Sequence, residues 1–201
     1  MARVLVLFHS RTGNTAALAD AIAEGARGVR FTEVDVRRLD DLAPPAASGE
    51  GPRHRHPALD DVSAVADYDA LVLGGAARHG VMAAELARFL HQLDPLRERG
   101  ALVDMVGAAF TSTPPAHGGH GLALLSIVAP LCGLGMLLVP PAHADPASAG
   151  GSPLGATSTG APTDAELADA RRLGARVAKV AGWVRHAKGH EAADGGGHHH
   201  H

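Results

Sequence analysis

The sequence predicts an α/β fold in which a doubly wound, five-stranded parallel sheet carries helices on both faces. Short, almost wholly apolar runs, typical of strands buried on both faces, alternate with longer segments whose apolar residues recur at helical spacing. Five such strand–helix units follow one another without an internal repeat, and this alternation is the pattern of a parallel sheet. Ligands are then expected at the carboxyl ends of the strands.

The first half of the chain supplies three strands and two helices. The predicted strands span residues 3–8 (RVLVLF), 31–36 and 69–74 (DALVLG), and the predicted helices span residues 14–26 and 83–93. Gly28 is expected to end the first helix. Residues 43–58 are rich in proline, glycine and serine, so they are expected to form a surface loop.

The second half supplies the remaining two units. A fourth strand is predicted over residues 102–110, a helix over 122–132, a fifth strand over 136–139 and a long loop over 140–161. The last helix begins at Thr163, because TDAE is a capping box ahead of an apolar periodic run. Residues 122–139 carry no charge, but Pro130 and two glycines interrupt them, which favours buried core over a membrane span.

Composition excludes several classes of protein. Apolar residues make up 46% of the chain, which argues against disorder, and 18 basic against 21 acidic residues without a basic stripe argue against a nucleic-acid partner. The one cysteine, Cys132, excludes an intrachain disulfide and a cysteine-based metal site, and is expected to be an inert core thiol. Trp183 is expected to pack against the protein.

Domain organisation follows from the same composition. Residues 1–194 are expected to form one domain, and residues 195–201 (GGGHHHH) are interpreted as a spacer and a histidine-tag remnant. The amino terminus lacks the pattern of a signal peptide, so a cytoplasmic protein is expected.

The segment between the first strand and the first helix predicts a phosphate site. It reads SRTGNT from Ser10 to Thr15, so that hydroxyl groups and free N–H groups at a helix start face one anion, and Gly13 permits a tight turn. It matches neither the Walker nor the Rossmann glycine pattern. The alternative is an ordinary turn that caps a helix.

Four further stretches, together with SRTGNT, carry a resemblance to a known family. They are ARVLVL at residues 2–7, GGAARHGVMAAELARF at 74–89, FTSTPPAHGGHG at 110–121 and GGSPLGAT at 150–157. In this order they resemble the flavodoxin-like superfamily and, within it, the WrbA-type NAD(P)H:quinone oxidoreductases. The resemblance implies a sheet of strand order 2-1-3-4-5.

The resemblance also implies an FMN enzyme that passes two electrons from NAD(P)H to a quinone and that assembles as a homo-oligomer, a dimer or a tetramer. The residues implied to hold the FMN phosphate are Ser10, Arg11, Thr12, Gly13, Asn14 and Thr15. Those implied along the isoalloxazine ring are Ala76, Ala77, Arg78, His79 and Gly80. Those implied to flank the ribityl chain and the ring are Ser112, Thr113, Pro114, Pro115, His117, Gly118 and Gly119.

Departures from the family pattern bear on the substrate. His79, His143 and Leu154 replace aromatic residues, and an arginine (Arg97 or Arg99) stands in place of a tryptophan. Because aromatic faces hold flat quinones by stacking, the acceptor pocket is altered. One hypothesis is that His79 and His143 face the substrate as catalytic proton donors. The alternative is that both are solvated loop histidines.

His117 and His120 stand close together, but two histidines without further ligands make no zinc site, so no metal is expected.

A flavodoxin-like FMN electron carrier that serves a protein partner is the alternative function. Such carriers are usually strongly acidic, whereas this chain has a net charge of −3. A scaffold without redox activity is a third possibility, against which the intact SRTGNT run argues.

Overall fold

The structure, a computed structural model, describes residues 1–42, 55–114, 119–142 and 151–194. Its strands are β1 (Ala2–His9), β2 (Thr32–Arg38), β3 (Ala70–Ala76), β4 (Val106–Thr113), β5 (Leu137–Leu138) and β6 (Ala156–Thr159). Its helices are α1 (Asn14–Arg27), α2 (Ala84–Gln92), α3 (Asp94–Glu98), α4 (His120–Gly133) and α5 (Asp164–Asp194), with a 3-10 helix at Val62–Asp67.

All strand pairs are parallel, and the sheet runs in the order β2-β1-β3-β4-β5. The expected order 2-1-3-4-5 is confirmed. The fifth position is shared by two short strands, because β5 pairs with the start of β4 at Val106 and Gly107, whereas β6 pairs with its end, from Phe110 to Thr113.

Alternate residues of the buried strands supply two separate cores. Val4, Val6 and Phe8 of β1 face α1 and α5 in one apolar cluster. Leu5 and Leu7 face the opposite side, where α2, α4 and the 3-10 helix cover the sheet. This division follows from the period of two residues along a strand, and it explains why the central strands are apolar throughout.

Helices α1 and α5 approach each other at two glycines. A Cβ atom on Gly25 would lie 1.9 Å from the carbonyl oxygen of Arg171, and one on Gly174 would lie 1.9 Å from that of Ile22. A side chain at either position is therefore incompatible with this spacing. The predicted capping box begins α5, since the Glu166 amide donates to Thr163 Oγ1 (3.3 Å) and the Thr163 amide donates to Glu166 Oε2 (2.8 Å).

Several sequence expectations about local structure are wrong. Residues 140–161 are not one loop, because residues 156–159 form β6 against β4. The fourth strand begins at Val106 rather than at residue 102, since residues 101–104 form a turn in which Asp104 has a φ of 60°. The 3-10 helix and α3 are too short for periodicity to reveal.

Cys132, which was expected in the core, and Trp183, which was expected to pack against the protein, are both exposed. Cys132 lies on the solvent side of α4, because the buried face of this uniformly apolar helix is formed by Ala123, Leu124, Ile127 and Leu131. Trp183 is 68% exposed. It lies on α5, whose 31 residues extend about 46 Å at 1.5 Å per residue and so outrun the eight-residue strands beneath.

The uncharged segment at residues 122–139 does not form one continuous helix. It divides between α4, which contains Pro130, and β5. Among the residues that the structure describes, no helix is both long and apolar enough to cross a membrane.

Candidate functional site

Buried polar side chains gather at one end of the sheet. Within the described ranges they are His9, Ser10, Thr15, Thr111, Ser112, Thr113 and Ser158. All of them lie at the carboxyl end of β1, β4 or β6, or in the first turn of α1. At most buried positions an apolar residue would stabilise the folded protein more than a polar one. This concentration of hydroxyl groups therefore indicates a binding site.

The loop after β1 has the form of an anion cradle. Gly13 adopts a φ of 92° at the N-terminus of α1, and its amide donates to Ser10 Oγ (3.1 Å). No described atom lies within 4 Å of the position that a Cβ atom would take on Gly13, and no described side chain caps α1. The exposed Arg11 and Thr12 complete the loop, so free N–H groups and a cation surround open space.

A buried hydroxyl pair joins this loop to β4. Thr15 Oγ1 and Ser112 Oγ lie 2.7 Å apart, and both side chains are buried. The two residues are 97 positions apart in the sequence, so neither motif alone reveals the contact. Thr111 Oγ1, the next polar group along β4, donates to the carbonyl of Gly75 on β3 (2.8 Å).

The loop after β3 forms a tight turn whose tip is exposed. The amide of Arg78 donates to the Val81 carbonyl (2.8 Å) and the amide of Val81 donates to the Arg78 carbonyl (2.9 Å). His79 and Gly80 between them have φ values of 52° and 82°, as in a type I′ turn. The side chains of Arg78 and His79 are exposed.

The base of the same turn is fixed on both sides. The Ala77 amide donates to the carbonyl of Ser112 (2.8 Å). The Met82 amide donates to Ser126 Oγ on α4 (2.9 Å). The exposed tip therefore stands on an anchored base beside β4 and α4.

His120 holds the third part of the site together. Its Nε2 atom lies 2.8 Å from Thr113 Oγ1 and 3.0 Å from the carbonyl oxygen of Ser158 on β6. It therefore connects the first residue of α4 with both β4 and β6. His117, which the sequence analysis considered beside His120 as a metal ligand, lies outside the described residues.

The GGSPLGAT motif explains how β6 reaches β4. A Cβ atom on Gly155 would lie 2.2 Å from the Ala109 carbonyl oxygen, so only glycine allows the chain to enter the sheet here. Residues 156–159 then pair in register with residues 110–113. Two motifs that are separate in the sequence thus form one polar edge.

The remaining expected site residues divide into two groups. Pro114 is exposed, and Gly119 precedes α4 with a φ of 93°. Pro115, Gly118 and His143, like His117, lie outside the residues that the structure describes.

No aromatic box covers this edge. The six aromatic side chains of the chain are all in described parts: Phe8, Phe89 and Phe110 are buried, Tyr68 precedes β3, and the exposed Phe31 and Trp183 line a groove of about 780 Å³ at the opposite end of the sheet. None of these side chains is exposed at the carboxyl edge, as the departures from the family pattern in the sequence predict.

Sequence reasoning missed one cluster beside the cradle. His9, the last residue of β1, places Nε2 2.7 Å from Asp41 Oδ1 and 3.6 Å from Glu85 Oε1. Its 3% exposure could not be read from the sequence, although a histidine that ends an otherwise apolar strand was a signal.

Comparison with known proteins identifies the family. A protein of Methylocella silvestris named NAD(P)H dehydrogenase (quinone) is 41% identical over an alignment of 203 positions that covers 92% of this chain and 100% of that protein. A protein of Azorhizobium caulinodans with the same name is 42% identical, over 90% of this chain and 98% of that protein. The chain belongs to this family. The WrbA-type resemblance is thereby confirmed, although a scan against models of protein families found no match.

Comparison with solved structures shows that this chain has a flavodoxin-like fold. A flavodoxin, WrbA-like protein from Agrobacterium tumefaciens superposes with a TM-score of 0.70 at 22% identity, covering 91% of this chain and 99% of that one. An archaeal flavodoxin gives 0.63 at 21% identity, covering 90% and 99%.

The residues present suit the phosphate end of a flavin mononucleotide. The open space at Gly13, the uncapped start of α1 and the neighbouring hydroxyl groups provide the donors that a phosphate requires. The start of α4 after Gly119 is also without a side-chain cap among the described residues. Two helix N-termini thus meet the same polar edge.

Proposed function

We propose that this chain is an FMN-dependent oxidoreductase that transfers two electrons from NAD(P)H to a quinone or a related small conjugated acceptor. The gathering of the described buried polar side chains at the carboxyl edge of the sheet carries this assignment. Two relatives, 41% and 42% identical to this chain, are named NAD(P)H dehydrogenase (quinone), which supports the assignment.

In this proposal FMN, when bound, supplies the hydride and electron chemistry, and the protein supplies binding, orientation and electrostatics. The loop from Ser10 to Thr15 binds the phosphate through N–H groups and hydroxyls. Residues 76–80 run along the ring, where amides and Arg78 favour negative charge on its polar edge. Ser112, Thr113 and the turn through Gly119 flank the ribityl chain.

The acceptor pocket is proposed to use histidines at positions where the family resemblance implies aromatic residues. No aromatic side chain is exposed at the carboxyl edge, so stacking contributes less to acceptor binding. His79, at the exposed tip of the turn, and His143 would face the acceptor and donate protons as it is reduced. A homo-oligomeric state and a cytoplasmic location stay predictions.

An absorption spectrum tests the assignment directly. FMN is added to the purified protein, then NADH or NADPH without oxygen, then benzoquinone. We expect a bound-flavin spectrum that bleaches with the nucleotide and recovers with the quinone. Bound FMN that does not bleach would indicate the electron carrier, and absence of FMN binding would refute the flavin assignment.

A substitution at the turn tests the role of His79. His79→Asn keeps a residue that tolerates the positive φ, so the turn is retained. If His79 donates a proton, kcat should fall by about 100-fold, while FMN affinity should change little because the backbone of the turn is kept. His91→Asn, on the exposed side of α2, is the matched control. Unchanged turnover would identify His79 as a solvated loop residue.

A further inference from the structure

We propose that His9, Asp41 and Glu85 form a binding site for one divalent transition-metal cation, for which Zn²⁺ is the probe. The three ligand atoms, one imidazole nitrogen and two carboxylate oxygens, all lie within 4.8 Å of one another. They come from the end of β1, the segment after β2 and the first turn of α2. The site adjoins the phosphate loop, but binding of an ion there needs neither FMN nor turnover.

The buried histidine is the observation that points to a ligand. His9 is 3% exposed, and its Nε2 atom lies between two carboxylates, 2.7 Å from Asp41 Oδ1 and 3.6 Å from Glu85 Oε1. Two carboxylates this close repel each other, and each loses solvation as it approaches the covered ring. A divalent cation offsets both charges at once.

The distances are close to those of a coordination shell. Zn²⁺ binds nitrogen and oxygen ligands at about 2.0–2.2 Å, which sets tetrahedral ligand separations of about 3.3–3.6 Å. The His9–Glu85 distance of 3.6 Å fits as it stands. Asp41 must withdraw by about 0.6 Å to reach this range. Its side chain is 36% exposed.

The backbone around the cluster is ordered before any ion arrives. The amide of Leu39 donates to the Phe8 carbonyl (2.7 Å), which keeps the segment after β2 beside the end of β1. Asp40, which precedes Asp41, is engaged with Arg38, and its carbonyl accepts from Arg88 Nη2 (3.4 Å).

The donor set selects the class of ion. One imidazole and two carboxylates suit borderline first-row cations better than Mg²⁺ or Ca²⁺, which prefer oxygen ligands alone. The three protein ligands leave a fourth position for water on the exposed side of Asp41. Because His9 directly precedes Ser10, a bound ion would also stiffen the start of the phosphate loop.

Metal titration of the full-length chain tests this site. The terminal histidines are first removed as ligands by His198→Ser, His199→Ser, His200→Ser and His201→Ser, and the protein is treated with chelator. Zn²⁺ is then titrated by calorimetry, and Co²⁺ by the visible absorption of its tetrahedral complex. We expect one tight site per chain. The exposed pair His186 and His190 offers two ligands and binds more weakly.

Two variants in the same background decide the outcome. Glu85→Gln, which keeps the shape of the side chain, should lower Zn²⁺ affinity by about 100-fold or more and abolish the Co²⁺ bands, since losing a ligand costs more than losing an outer-shell partner. Asp41→Asn should do the same on an exposed segment where folding is little affected. The control Glu98→Gln, exposed on α3, should change nothing.

The site is refuted if no saturable binding is found, or if Glu85→Gln and Asp41→Asn bind as the parent does. His9 would then simply be paired with its two carboxylates. A protein that fails to bind FMN could still bind the metal ion. A protein that fails to bind the metal ion could still be the proposed oxidoreductase. The two proposals therefore fail separately.

Discussion

Single hydroxyl groups have a large effect on stability at the carboxyl edge of the sheet, because each is buried and needs a hydrogen-bond partner. Thr15 Oγ1 and Ser112 Oγ satisfy each other at 2.7 Å. Thr111 bonds to the Gly75 carbonyl, and Thr113 to His120. Removing one member leaves the other without a partner, which costs more than the bond itself contributes.

Thr15→Val should therefore destabilise the protein by about 1–3 kcal/mol, because the Ser112 hydroxyl is left buried without its partner. FMN affinity should fall by about fivefold, the equivalent of one neutral hydrogen bond. Urea unfolding and flavin fluorescence titration measure the two effects. Thr15→Ser keeps the hydroxyl and should retain most of both. Equal losses in the two variants would contradict the role of the hydroxyl.

Tyr68 introduces a pH dependence at the other end of the sheet. Burial raises the pKa of its phenol to about 12, and the hydrogen bond that it donates to Asp35 (2.7 Å) adds to the rise. Because the pKa is higher in the folded state than its ordinary value of 10.0, the contribution to stability is complete below pH 10 and is lost as the pH rises towards 12.

The difference in unfolding free energy between the parent protein and Tyr68→Phe should thus be about 1 kcal/mol at pH 8 and should vanish towards pH 12. The value is modest because the phenol is only partly buried. Urea unfolding of both proteins at several pH values gives this difference. A difference that does not change between pH 8 and pH 11.5 would show that the phenol proton plays no part.

At the scale of elements, the contact between α1 and α5 depends on glycine. A Cβ atom on Gly25 or on Gly174 would lie only 1.9 Å from a backbone carbonyl oxygen of the facing helix. Backbone atoms, unlike the end of a flexible side chain, cannot move aside without shifting the whole helix. Helix propensity, which favours alanine, is therefore overruled by packing.

Gly174→Ala should lower stability by about 2 kcal/mol or more, because overpacking outweighs the gain in helix propensity. Gly182→Ala on the same helix meets no described atom within 4 Å and should raise stability by about 0.5–1 kcal/mol. Thermal or urea unfolding compares the two. A stabilised Gly174→Ala protein would show that the helices are less closely packed than the structure indicates.

At the scale of the whole molecule, the polar edge is assembled from separate elements. The start of α1, the ends of β1 and β4, the turn after β3 and β6 all contribute. A ligand that contacts these elements binds the folded state alone, because unfolding separates them. Ligand binding and folding are therefore linked.

FMN at 100 times its Kd should raise the free energy of unfolding by about 2.7 kcal/mol, and removal of FMN should reverse this. Thermal unfolding at several FMN concentrations measures the shift. Riboflavin, which lacks the phosphate, is the control, and it should stabilise less because the loop after β1 then has no anion. Equal stabilisation by both would contradict the phosphate site.

Sequence alone predicted the fold class and, through the family resemblance, the strand order, and both are confirmed; it also gave the position of the polar motifs along the chain, while the phosphate loop stays a prediction. Apolar periodicity and turn residues are local properties, so they survive in a one-dimensional reading. The same reading failed for β6, because its pairing with β4 depends on a contact between Gly155 and Ala109. It also failed for Cys132, because an evenly apolar helix does not reveal which face is covered.

Only the tertiary structure decided which distant residues meet. The hydroxyl pair of Thr15 and Ser112, the role of His120 and the grouping of His9 with Asp41 and Glu85 all join positions that no sequence spacing connects. The physical reason is that a parallel sheet brings the carboxyl ends of all its strands to one edge. Residues far apart in the chain become neighbours there, and their chemistry belongs to the edge rather than to any one motif.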